Sequence, residues 1–305
     1  MARIAFHCVN RLVKISGYYP LSKKQSDIKI LGIISGGGDL PSRLIKACQK
    51  KDIEPFVVGI KGQTDPALLE GHRSMMGSFS KAGQILKTLK AHNVTDIVMI
   101  GSMKRPSFST LCPDLYTASL ITRIGFKALG DDGLLQAIRK IFESEGITIH
   151  GVQEFVDELL AVKGAMGCVQ PSDKNLLDIE RGVNVAHQLG ALDVGQSVVV
   201  QDGFVLGVEA VEGTDALLDR CSELKKSNKG GVLVKLCKPQ QDKRLDMPTI
   251  GLSTIQKVYE SGFQGIAVQA GSTLVVDLEE MVDFADKHKM FICGLEIEKD
   301  GSIVR

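Results

Sequence analysis

Ile28-Lys-Ile-Leu-Gly-Ile-Ile34 runs directly into Ser35-Gly36-Gly37-Gly38-Asp39-Leu40-Pro41, and the reading of this stretch decides the fold. The apolar run predicts a strand, the three glycines a tight turn, and Pro41 the opening of a helix with Leu44, Ile45 and Ala47 on its apolar face. Strand, glycine turn and helix together let a backbone approach a phosphate or a nucleotide. Gly36, Gly37, Gly38, Asp39 and Leu40 are therefore candidate substrate-binding residues. The spacing is not G-x-G-x-x-G, and no Lys-Ser/Thr follows as in a P-loop, so the turn alone does not specify NAD or ATP.

Moving outward, strands are expected at Pro55–Ile60, Asp96–Ile100 and Thr148–Gly151, with helices at Lys81–His92, Leu115–Leu129 and Gly133–Glu145. That alternation implies a parallel sheet with Rossmann-like winding, in which ligands sit at the carboxyl ends of the strands. The triple glycine and Lys104-Arg105 both fall there, and Lys104 and Arg105 could bind a diphosphate or be ordinary surface charges. Asp131-Asp132 reads first as a helix N-cap. From Glu154 to Pro171 the pattern is irregular, which places an interdomain connection here. Ser172-Asp173 then caps a helix reaching His187 or Leu189, and Asp193-Val-Gly-Gln196 leads into a strand at Ser197–Gln201. Asp202-Gly203 predicts a hairpin turn.

That hairpin delivers Val205-Leu-Gly-Val-Glu-Ala-Val-Glu-Gly-Thr-Asp-Ala-Leu217, which places Glu209, Glu212 and Asp215 in seven residues beside a helix that Thr214 or Asp215 could cap. Carboxylates suit a hard cation and a helix N-terminus suits an anion, although a solvated acidic turn explains the stretch equally simply. Further strands are expected at Gly231–Lys235, Ile266–Val268, Thr273–Asp277 and Phe291–Leu295, with one helix following Gly251 and running to Tyr259 and another from Leu278 to His288. Gln240–Arg244 reads as a polar, mobile loop. Asp246 precedes Met247-Pro248, so its backbone is extended and its side chain can project into a cleft.

Composition removes whole classes of function. With 37 basic and 36 acidic residues, no Trp and four Tyr, the chain lacks the basic face and stacking platforms of a nucleic-acid binder. Its seven cysteines are scattered without a C-x-x-C pair, so neither a zinc site nor a disulfide framework is expected. No apolar run is long enough to span a membrane. Residues 1–27 carry five basic side chains before the first acid, Asp27, and read as a disordered extension. His72, His92, His150, His187 and His288 share no metal-binding spacing and are expected to be surface or structural residues. Acids at Glu209, Glu212, Asp215 and Asp246 beside cations at Lys235, Lys238 and Arg244 fit metal-assisted attack of water on phosphorus.

Gly36-Gly-Gly-Asp-Leu-Pro41, Lys104-Arg-Pro106, Gly130-Asp-Asp132, Asp193-Val-Gly-Gln196, Val208-Glu-Ala-Val-Glu-Gly-Thr-Asp215 and Asp246-Met-Pro-Thr-Ile-Gly251 occur in this order. Together they resemble the UDP-2,3-diacylglucosamine pyrophosphatases of bacterial lipid A synthesis, in the variety without the metallophosphoesterase fold. The G-D-x-H and G-N-H-[DE] motifs of the metallophosphoesterase isoenzyme are absent. The resemblance implies an N-terminal Rossmann-like domain (28–160), a linker (161–172) and a C-terminal catalytic α/β domain (173–305), with the ligand between the two. It implies hydrolysis of UDP-2,3-diacylglucosamine to UMP and 2,3-diacylglucosamine 1-phosphate with Mg²⁺ or another divalent cation, in the cytoplasm and peripherally at the inner face of the inner membrane.

The family's essential aspartate falls on Asp246. The expected catalytic residues are Asp246, Asp215 and Glu212, with Asp246, Glu209 and Glu212 on the metal. Gln196, Thr214, Lys235 and Thr249 join the glycine turn, Lys104 and Arg105 in binding substrate. Transient contact with the membrane surface is expected and nucleic acid is not, and a homodimer is left open. A nucleotide-sugar oxidoreductase or transferase on the Rossmann half, or a non-catalytic lipid- or nucleotide-binding protein, are the alternatives.

Overall fold

In the computed structural model, which describes residues 27–103, 131–156, 159–226 and 230–304, the opening stretch forms strand β1 (Ile30–Ser35) and helix α1 (Leu40–Lys50). β1 is buried along nearly its whole length, which is why its sequence is continuously apolar rather than alternating. It lies between β2 (Glu54–Ile60) and β4 (Asp96–Ile100), with β3 (Arg73–Gly77) and β5 (Thr148–His150) at the edges. All neighbours run parallel in the order β3-β2-β1-β4-β5, the Rossmann-like winding expected. On one face Leu31, Ile33, Val57 and Val98 pack with Leu44, Ile45 and Cys48 of α1. On the other, Ile34, Phe56, Val58 and Ile97 pack with Leu86 and Leu89 of α2 (Ala82–Ala91) and Phe142 of α3 (Asp131–Ser144). β3 was not expected, because this edge strand is largely exposed and carries no apolar run. The basic extension to Ser26, Lys104, Arg105 and the helix expected at Leu115–Leu129 lie outside the described residues.

The second half is built on a mixed sheet. β9 (Val232–Lys235), β11 (Gly265–Gln269) and β13 (Phe291–Leu295) run parallel, and the β7 (Ser197–Gln201) and β8 (Phe204–Val208) hairpin adds antiparallel to β9. The hairpin turns at Asp202-Gly203 as expected, with both residues at positive φ. The buried Asp178 carboxylate, on helix α4 (Asp173–Ala191), accepts from both turn N–H groups at 3.1 and 2.7 Å. Within the segment expected as a connection, Gly164–Ala165 forms β6 and pairs antiparallel with the edge of β13. The strand expected at Thr273–Asp277 is β12 (Leu274–Val275), which pairs with β10 (Thr249–Ile250) outside the six-stranded sheet. Helices α5 (Thr214–Glu223), α6 (Leu252–Glu260) and α7 (Leu278–Lys287) cover one face around Leu217, Ile255 and Met281.

The halves meet along the segment that carries Asp246. Leu245 is buried among the side chains of α2 and α3, and Met247 is buried in the cluster on the opposite face of the first sheet. Two anchors in alternate positions hold Asp246 between them at the junction. Ion pairs Arg139–Asp242 and Arg244–Glu143, each 3.5 Å, link α3 to the same loop, and Arg43 pairs with Asp277 across the halves. His150, at the end of β5, is a structural residue as expected. Its Nε2 lies 2.9 Å from Asp96 and its Nδ1 3.0 Å from Glu154. Burial opposes charge on this imidazole, but the two carboxylates outweigh it and raise its pKa to about 9.

Candidate active site

Strand β8 ends at Val208, and the chain turns through Glu209–Gly213 before α5 begins. Gly213 is the N-cap of α5 at φ 82°, a conformation an L side chain rarely adopts. The helix therefore starts two residues earlier than its apolar face suggests, and Thr214 and Asp215 occupy its first turn instead of capping it. This turn, Lys235 at the carboxyl end of β9, and Ser253 and Thr254 at the start of α6 line an open cleft of about 290 Å³. Two helix N-termini thus face the same space, and the unpaired N–H groups of a helix's first turn favour an anion.

Lys235 is the centre of the site. It is nine-tenths buried, and its Nζ donates to the Thr214 hydroxyl at 3.0 Å. Thr214 in turn donates to Glu209 Oε1 at 2.7 Å, and Glu209 Oε2 accepts from the Gln196 backbone N–H at 3.3 Å. Burial holds the Lys235 ammonium below the usual lysine range, and the charges of Glu209, Asp246 and Asp215 oppose that shift. A lysine at a cleft floor, with three carboxylates opposing the effect of burial on its charge, is an electrostatic anchor for an anionic ligand.

The remaining site residues divide according to where their polar atoms point. Asp215 is exposed on the cleft wall and Asp246 is exposed at the junction, both within electrostatic reach of Lys235. Asp246 Oδ2 accepts from Gln241 Nε2 at 2.8 Å. Glu212 also lines the cleft, but its carboxylate is held by partners other than Lys235. One oxygen accepts from Arg220 at 2.8 Å and the other from the Ala210 N–H at 3.0 Å, and the Arg220 bond lowers its pKa. Thr249 donates to the Met247 carbonyl and is not on the cleft wall.

In the glycine turn, Gly36 N–H bonds to the Ile100 carbonyl, and Gly37 and Ser102 bond to each other through both backbone groups. A Cβ at Gly36 would lie 2.4 Å from the Ser102 carbonyl oxygen, so glycine is needed there to let two loops touch. The structure thus gathers Glu209, Thr214, Asp215, Lys235 and Asp246. It leaves Gly36–Leu40 and Thr249 outside that group.

Sequence reasoning missed three residues. Ser253 and Thr254 follow Gly251-Leu252, and two hydroxyls at the start of a helix were the available signal. Gln241 lies in the loop expected to be mobile. That expectation is overturned: Gln241 is buried, and Asp242 binds Arg244 through both oxygens.

The oxygen donors suit a hard cation in kind, but Glu209, Glu212 and Asp246 do not converge. Among the described residues no group of three or more ligating side chains is gathered. Asp215 and Asp246, exposed carboxylates whose charges both reach Lys235, are of the donor type that Mg²⁺ takes, one or two at a time, when water and substrate phosphates complete its shell.

A two-domain α/β protein with a polar, lysine-floored cleft is the class that this fold and site define. The LpxI N-terminal domain family matches residues 30–159 and the LpxI C-terminal domain family residues 162–293, and the chain belongs to this family. The UDP-2,3-diacylglucosamine pyrophosphatase LpxI of Caulobacter vibrioides is 38% identical over 275 residues, 87% of this chain and 97% of that protein. Among solved structures, the Bordetella bronchiseptica enzyme WbmG in complex with NAD matches 40% of this chain and 36% of its own at 19% identity, with a TM-score of 0.27. The biotin carboxylase subunit of pyruvate carboxylase matches 56% and 34% at 15% identity, with a TM-score of 0.25. Overlaps this partial carry no argument.

Proposed function

We propose that the protein hydrolyses the pyrophosphate of UDP-2,3-diacylglucosamine, releasing UMP and 2,3-diacylglucosamine 1-phosphate for lipid A synthesis. The kinship with a pyrophosphatase of that specificity supports the substrate. The observation that carries the chemistry is the buried Lys235 ammonium, set beneath two helix N-termini and faced by Asp215 and Asp246. A diphosphate held there has one phosphoryl group against Lys235, Thr214, Ser253, Thr254 and the first-turn N–H groups of α5 and α6. These donors meet the charge that develops on the phosphoryl oxygens and on the departing phosphate.

Asp246 is the general base of this reading. It takes a proton from the attacking water as the water oxygen bonds to phosphorus and the bridging P–O bond breaks, so the bridging oxygen leaves on the other phosphate. Asp215 and Asp246 would hold Mg²⁺, which neutralises phosphate charge and acidifies bound water when present. Glu209 stays in the buried chain that fixes Thr214 and Lys235. Gln196, Lys104 and Arg105 remain candidates for the nucleotide end.

Among the described residues no helix is long and apolar enough to cross a membrane. The site belongs on this reading to a cytoplasmic protein that meets its lipid substrate at the membrane surface. Release of UMP from the diacylated nucleotide, with Asp246→Ala as the control, tests the assignment. Turnover should fall by about 10³-fold or more in the variant, and undiminished release would sink it.

A further inference from the structure

We infer that Gln241 is a positioning residue for Asp246: its side-chain amide fixes the orientation of the Asp246 carboxylate. This rests on the proposed role of Asp246. Gln241 is buried, five residues before Asp246, in a loop with no regular structure. Its amide direction is not arbitrary. Oε1 accepts from the Lys238 backbone N–H at 3.1 Å and from the Cys237 thiol at 3.3 Å. Both partners are donors to that atom, so the oxygen must face them and Nε2 must face Asp246 Oδ2, 2.8 Å away.

The platform beneath Gln241 is itself held. The Gln241 backbone N–H bonds to the Lys238 carbonyl, and the Cys237 N–H donates to Gln269 Oε1 on β11. Lys238 Nζ pairs with Asp193 at 2.5 Å, and Gln240 Nε2 donates to the Gly190 carbonyl at 2.8 Å. The segment therefore ties the end of β9 to α4 and β11, and delivers one rigid donor to an exposed carboxylate. Support of this kind keeps a reacting group within a narrow range of angles.

The charged groups around Asp246 give the amide its electrostatic meaning. Lys235 faces it from β9, with Asp215 and Glu209 around the same ammonium. Asp242 sits in its own loop, its carbonyl accepting from the Asp246 N–H, and together with Gln136 of α3 lines the crevice on the other side. Asp242 is held ionised mainly by Arg244 against the effect of burial, so it adds negative charge beside Asp246. An N–H donor on Oδ2 gives the carboxylate a fixed partner among these charges.

Gln241→Met keeps the volume and removes the donor, and Gln241→Glu keeps the shape and replaces the donor with a second acid. Each variant should lower kcat for UMP release by about 10- to 100-fold, the effect of losing a hydrogen bond to a charged group. KM should change little, because the amide acts on the reacting carboxylate and not on substrate binding. Thermal unfolding of both variants reads any purely structural effect. A wild-type-like kcat in Gln241→Met, or a kcat that falls only together with the melting temperature or with a matching rise in KM, overturns the inference. Asp246→Asn separates the two levels. Full turnover in that variant removes the reading of Asp246, whereas an inactive Asp246→Asn beside a wild-type-like Gln241→Met removes only the role of Gln241.

Discussion

Two turns in this molecule carry a helix N-terminus to the end of a strand, and they use it in opposite ways. The Ser35–Asp39 turn has the composition of a phosphate loop, but its Gly36 and Gly37 backbone groups close onto the Ile100–Ser102 segment. The Glu209–Asp215 turn has the composition of a solvated acidic loop, but it covers a buried Lys235–Thr214–Glu209 chain at the floor of a cleft. Glycine content is thus a weak indicator of an anion site when the backbone donors are already engaged, and a buried counter-charged lysine is a strong one. If this contrast holds, substitutions in the first turn act on stability and substitutions in the second act on turnover.

The largest effect that could break the contrast is at Lys235. Lys235→Met removes the ammonium and keeps an unbranched side chain in the same space. Turnover should fall by about 10²- to 10³-fold, as when a preorganised electrostatic donor is removed from a reacting oxygen. Stability should change far less, because burial already disfavours the charged amine that the substitution deletes. UMP release and a calorimetric melt measured on one preparation would show this split, and a collapse of the melt with normal turnover of the folded fraction would reverse the assignment.

Gly36→Ala is the complementary case. The new Cβ meets the Ser102 carbonyl oxygen at 2.4 Å and the Gly101 backbone at 2.9 Å, with no flexible side chain to yield. Destabilisation of about 1–3 kcal/mol is expected, with turnover of the folded fraction close to that of the parent. Urea titration gives the first quantity and activity per folded molecule the second. A variant that melts normally but has lost substrate affinity would restore the glycine turn to the site.

The first sheet was legible because parallel strands buried on both faces leave continuous apolar runs, as in Ile30–Ser35 and Asp96–Ile100. β3 was not, because an exposed edge strand such as Arg73–Gly77 has no such constraint. At the site, the acidic turn and Asp246 could be found from residue type and motif. The roles of their neighbours could not, because they depend on contacts distant in sequence. Lys235 reaches Thr214 across 21 residues, and Glu209 reaches the Gln196 backbone across 13. Gln241 illustrates the point most clearly. A polar stretch between two hydrophobic segments reads as solvated loop until its amide is found between a thiol and a carboxylate.

The finest test lies within the acidic turn itself, between two glutamates three residues apart. Glu209 is buried and holds Thr214, whereas Glu212 is exposed and braces the turn through Arg220 and the Ala210 N–H. Glu212→Gln retains an oxygen that can accept from Arg220 and gives up the charge and the exposed bond from the Ala210 N–H, so turnover should stay within about fivefold of the parent, the scale of an exposed ion pair. A carboxylate that bound the metal or carried a proton would not tolerate that change. Steady-state UMP release across a series of Mg²⁺ concentrations makes the distinction sharp. A loss of a hundredfold, or a rise in the Mg²⁺ concentration needed for half-maximal rate, would bring Glu212 into the reacting group and show that its Arg220 partner releases it when substrate binds.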